Sequence, residues 1–200
     1  MEDDIQAVVD GLKAGLAQSG LTQAEFATAL GTSGSRFSSY RAGKTMPSAA
    51  FYLRALRLAD SLKAARDRGW MTPQSAAREI RRALRKGDDL WALKMILQSR
   101  DHLRELLGEE ASASTAWIAA PRTTGDRKWD ALLAALTQHE FHEANREPPS
   151  WADAEDKRLS EREEWVVPSL LLNDHEVRAV SPKWLAERGI FAAERDLVTA

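Results

Sequence analysis

The 200-residue chain has no cysteine, which excludes disulfides, thiolate metal sites and a cysteine nucleophile. No apolar run approaches the roughly 20 residues that span a bilayer. The first residues, MEDDIQ, are acidic where a signal or transit peptide would be basic. A cytoplasmic protein with no membrane partner is therefore expected. There is no glycine-rich phosphate loop, and no nucleophile is spaced with a base and an orienting partner. No catalytic residue, metal or cofactor is expected, and the protein is read as a non-enzyme. Bulk positive charge is missing too. The net charge is −2, so composition alone does not point to nucleic acid, and any such claim must rest on a motif.

What is present is a soluble globular composition, 44% apolar and 29% charged, with an uneven distribution of charge. Residues 1–60 hold six Lys/Arg and six Asp/Glu, residues 61–108 eleven and six, and residues 109–200 eleven and eighteen. Helical periodicity dominates the first half. Ile5, Val8, Val9, Leu12 and Leu16 share one face and stop at Ser19-Gly20. Thr22 and Glu25 then form a T-x-x-E capping box, with Leu21 and Phe26 placed as its hydrophobic staple. Gly31 closes that short helix, Ser33 caps the next, and Gly43 ends it. Further helices are expected over 48–68, from Thr72-Pro73 to Gly87, and from Asp88 to Leu107.

The stretch LTQAEFATALGTSGSRFSSYRAGKTMPS, residues 21–48, resembles the helix-turn-helix of the Xre/Cro/phage-repressor family. The resemblance is carried without a gap by Leu21, Thr22, Gln23, Glu25, Phe26, Ala27, Leu30, Gly31, Ser33, Phe37, Ser38, Tyr40, Gly43, Lys44, Pro47 and Ser48. It covers about residues 5–65. It implies a mostly α protein whose residues 1–69 form a five-helix, lambda-repressor-like domain that binds double-stranded DNA. It further implies a transcriptional regulator, expected to be a dimeric repressor, that sets the helix Ser33–Ala42 in the major groove. On the same ground Gln23 and Lys44 would contact phosphates, and Ser33, Gly34, Ser35, Arg36 and Ser39 would occupy DNA-facing positions.

At 100° per residue, Phe37 and Tyr40 define the buried side of that helix. The opposite side is Ser35, Ser38, Ser39 and Ala42, all small, with Arg36 and Arg41 on its two edges. The strong base readers, arginine for guanine and asparagine or glutamine for adenine, are missing from its centre. The family often has glutamate where Arg41 stands. We therefore expect close approach through a small face, with Arg36 and Arg41 reaching phosphates or single bases from the margins.

Other features are read more plainly. The sequence HEFHE sets His139 and His142 three apart, whereas the H-E-x-x-H metalloprotease motif needs four, so both are read as ordinary polar residues. The self-cleaving protease of many phage-type repressors needs an Ala-Gly bond, and beyond Gly43 no glycine follows an alanine. Arg78, Arg81, Arg82, Arg85 and Lys86 crowd one predicted helix, either as a solvated face, a further DNA contact or a dock for the acidic C-terminal region. Residues 70–108 are taken as a helical connector or dimerisation segment, and Gly108–Ala116 as the boundary. All seven tryptophans lie at or after position 70, so residues 117–200 are expected to fold, as a smaller, mainly α domain with at most one or two short strands. That region resembles one found behind such DNA-binding domains in actinobacterial regulators, a resemblance that implies no known activity; residues 117–200 are read as a sensing or partner-binding domain. The alternative function is an antitoxin that binds a toxin through its C-terminal domain and represses its own operon.

Overall fold

The structure, a computed structural model, describes residues 2–108 and 113–198. It is mostly helical, with ten α-helices and one two-stranded sheet among the described residues. Helix α1 (Glu2–Ser19) lies against α4 (Ala49–Asp67), with the short helices α2 (Gln23–Ala29) and α3 (Gly34–Arg41) between them in sequence. Helices α5 (Pro73–Leu84) and α6 (Asp89–Gly108) form an antiparallel pair, and α7 (Arg127–Glu143) packs on α6. The rest is short: α8 (Ser150–Asp153), α9 (Asp174–Val180), α10 (Lys183–Ala186) and three single-turn 3₁₀ segments. Strands β1 (Trp165–Val166) and β2 (Ile190–Phe191) pair in parallel, Trp165 opposite Ile190. No helix among the described residues is long and apolar enough to cross a membrane.

The helix ends follow local chemistry. Thr22 and Glu25 make the reciprocal capping box at α2. Ser33 caps α3 through the Arg36 amide, and Ser48 caps α4 through the Phe51 amide. Thr72 caps α5 with Pro73 in the first turn, and its box is closed by Ser75 rather than by a longer acid. Where α1 meets α4, Gly11 leaves room for the Tyr52 ring, since a Cβ there would lie 2.1 Å from the Tyr52 hydroxyl. Arg66 of α4 reaches the carbonyls of Gln18 and Ser19, which places a cation on the negative end of α1.

The buried side chains form one cluster running from Leu12 to Leu197. Part of the expected boundary, residues 109–112, lies outside the described residues. Just beyond it, Ala116 and Trp117 are fully buried, and their 3₁₀ turn packs on α4 and α6. The Trp151 indole donates to the Trp117 carbonyl at 3.0 Å. Helix α6, whose apolar face by sequence suits a dimer seam and core packing equally well, buries Ala92, Ile96, Leu103 and Leu107 in this core. Arg104 donates to the buried Glu140 carboxylate at 2.6 Å, holding α6 to α7, and that bond keeps the guanidinium more firmly protonated than usual.

Helix α3 is seated by two aromatic contacts. Phe37 packs on Phe26 with ring centroids 5.4 Å apart, and Tyr40 packs on Phe51 at 5.1 Å. Both α3 rings are buried, and Phe37 is wholly so. Replacing Phe37 by alanine should lower stability by about 3–5 kcal/mol. Urea denaturation followed by far-UV circular dichroism measures this, and a loss below about 1 kcal/mol would mean that the site collapses around the missing ring.

Candidate nucleic-acid interface

Helix α3 is eight residues long and almost wholly polar outside its two aromatic anchors. Its outer surface carries Ser35, Arg36 and Ser38, all exposed, with Ser39 half-buried and Ala42 exposed just beyond the last turn. Gly34 opens the helix with no atom within 4 Å of where a Cβ would stand, so the backbone is bare on that side. Three of the serines have internal partners. The Ser33 hydroxyl lies 3.0 Å from that of Ser35 and accepts from the Arg36 amide at 3.2 Å. The Ser39 hydroxyl donates to the Ser35 carbonyl one turn back.

The expected phosphate contacts divide into two kinds. Lys44 is exposed just past the end of α3, and its amide donates to the Ser39 carbonyl in the terminal turn around Gly43. Gly43 adopts φ +68°, and a side chain there would touch Val9 and Ile5 of α1. Gln23 and Arg41 are instead brought together. The Gln23 amide donates to the Gly34 carbonyl at 3.2 Å, and its carbonyl accepts from Arg41 at 2.6 Å. Gly34 and Arg41 lie seven residues apart, two turns along one face of α3. The Gln23 carboxamide therefore bridges the carbonyl of the first residue of α3 and the guanidinium that its last residue extends. Arg41 is half-buried, and its Nε is enclosed without a partner among the described residues. Arg36, exposed at the other margin, is not held in this way.

The surroundings of α2 include a contact that no sequence signal announces. Arg122, 97 residues away in the chain, donates to the Glu25 carboxylate at 2.7 Å. Glu25 also closes the capping box through Thr22. Partial burial works against ionisation of Glu25, yet the hydrogen bonds from Thr22 and Arg122 outweigh it and hold the carboxyl below its ordinary range. The start of α2 is thus tied to the loop that precedes α7. Sequence reasoning can identify Glu25 as a cap but not as an anchor for a distant loop, because the pairing depends on tertiary placement alone.

The histidines of HEFHE play no part here. His139 stacks on Trp184 at 4.0 Å, and burial pushes its pKa down. No protein-family model, curated protein or solved structure matches this chain.

Because Glu25 titrates lower when folded than when unfolded, its contribution to stability is complete above about pH 4.3 and fades as the pH falls through the folded value. The difference in denaturation midpoint between wild type and Glu25→Gln should be greatest near neutrality and shrink in acid. A difference that stays constant across that window in urea titrations would mean that Arg122 and Thr22 do not favour the ionised carboxylate.

Proposed function

We propose that this chain is a double-stranded-DNA-binding transcriptional regulator, a repressor that dimerises and reads the major groove with α3. One observation carries the reading. A short polar helix, bare at its glycine start and lined with serines, is clamped by Phe37 and Tyr40 so that its small-sided face points outward. Every short surface helix needs a buried face to persist; what suits this one to a groove about 12 Å wide is that the face left outward is slim and small-sided. On this reading α2 and α3 are the two helices of the helix-turn-helix. Lys44 takes one phosphate, and Gln23 with Arg41 forms a preset pair at the rim that meets a second. Arg36 is the margin residue with the reach to contact a base edge.

A second reading, the antitoxin, is favoured by Leu170 and Leu171, which are 86% and 74% exposed on the loop after β1. Isolated exposed apolar residues are ordinary, but two adjacent leucines standing out of a folded region suit a protein partner. Both readings place the protein in the cytoplasm on DNA. They differ in whether the C-terminal part takes a toxin.

Binding-site selection from a random duplex library tests the α3 assignment. Wild type should enrich a short motif, and Arg36→Ala or Ser39→Ala should change the preferred base at one or two positions, each worth about 1–3 kcal/mol. Lys44→Ala should weaken binding to all sequences about equally. Unchanged preference in both α3 variants would remove α3 as the reader, and genome-wide occupancy without discrete sites would remove the regulator itself.

A further inference from the structure

The α5 arginines fall into a single row. Arg78, Arg81, Arg82 and Arg85 are spaced i, i+3, i+4 and i+7, on the side opposite Ala76, Ile80 and Ala83, which are buried. Among the described residues the row meets the C-terminal region through a backbone carbonyl and not through its acids. Arg78 and Arg82 are more than 70% exposed, and the acid within reach of each is Glu79 on their own helix. Arg81 is half-buried and donates to the Thr123 carbonyl, which brings the loop before α7 alongside α5.

That juxtaposition makes two adjoining grooves. One, of about 350 Å³, runs from the α1–α2 turn at Gly20–Thr22 to Arg78, Arg81 and Arg122. The other, of about 700 Å³, lies beyond Arg81 and Thr123 and reaches Arg85 and Lys128. Arg81 and Thr123 line both, and the hydrogen bond between them stands where the two grooves meet, so together they make one basic groove bridged at that point. The acids along it are few and partly committed: Glu25 is paired with Arg122, whereas Asp89 and Asp126 border the far groove. The near end opens at Thr22, next to Gln23 in the proposed DNA-contacting pair.

We propose that this groove is a second DNA-backbone track, which receives the phosphates that flank the segment under α3. The proposal rests on the DNA-binding reading and extends it to α5 and the loop before α7. From Arg78 to Arg85 the helix covers about 10 Å, comparable with the axial rise of about three phosphates on one strand. The contact is to phosphate alone, so it adds affinity and salt dependence without adding sequence preference.

Salt titration of binding to a labelled mixed-sequence duplex, followed by fluorescence anisotropy, tests it. The double variant R78Q/R85Q should lower the slope of log affinity against log salt by about 0.9 for every phosphate that is no longer neutralised. Lys128→Gln, on a different helix, should lower it by about one such step. A control variant, K13Q/K63Q, removes the same charge outside the groove and should leave the slope unchanged. Circular dichroism checks that each variant is folded, and Lys128→Gln decides the matter if the double variant is not. Wild-type slopes in the groove variants would overturn the track while leaving α3 as a reader. An equal fall in slope in groove and control variants would overturn it too, because net charge would then account for the effect. Absence of salt-dependent duplex binding by wild type would overturn both the track and the DNA-binding reading.

Discussion

Helix α3 cannot hold itself. Eight residues are well short of the length at which an isolated helix persists in water, and its serines and glycine are poor helix formers. Its order comes from Phe37 against Phe26 and from Tyr40 against Phe51, which fasten it to α2 and to the start of α4. Phe51 in turn belongs to α4, which packs along α1. Everything proposed for the outer face of α3 depends on these contacts on its inner face. The aromatic seat is what turns a serine-rich stretch into a surface of fixed shape.

The Gln23–Arg41 pair changes how that surface would work. Two long polar side chains free in solvent would each lose rotamer freedom on meeting a phosphate. Here the hydrogen bonds to Gly34 and between the two side chains already order them, so less entropy remains to be lost on binding. Arg41 keeps its charge at the rim while its position is held by a neutral partner. A glutamate at position 41 would place like charge beside a phosphate at the same spot.

Much of the helical frame could be read from the residues because it is specified locally. Thr22, Ser33, Ser48 and Thr72 sit at helix starts, and Gly31 and Gly43 sit at helix ends with positive φ. Phe37 and Tyr40 show their burial by spacing alone. What could not be read was long-range. Trp117 looks like the opening of a separate segment, yet it is buried beside α4, because the partners that bury it are far away in sequence. The periodic apolar face of α6 suits a dimer seam and an internal packing surface equally well, and only the placement of α5 and α7 decides between them. Glu25 is fully accounted for as a cap before Arg122 arrives on it. A residue that already satisfies a local rule gives no sign of a second, tertiary role.

Charge is likewise visible in the residues while its placement is not. A net value of −2 hides a chain whose middle carries five more basic than acidic residues and whose final 92 residues carry seven more acidic than basic. Had the α5 arginines paired with those acids, the two excesses would cancel and neither would act at a distance. Among the described residues Arg78 and Arg82 reach Glu79 of their own helix, Glu163 and Glu164 pair with Arg127 and Arg178, and the ion pairing that does join the two segments is made by α6, as with Arg104 on the buried Glu140. The α5 row therefore stands as a basic strip on the surface. A polyanion approaching within the Debye length, about 8–10 Å, would be drawn to it. On the proposed function, that attraction would orient the encounter before any base is read. A small-sided helix proposed as the reader, weak in specific contacts, would have the most to gain from being presented to a groove in the right orientation.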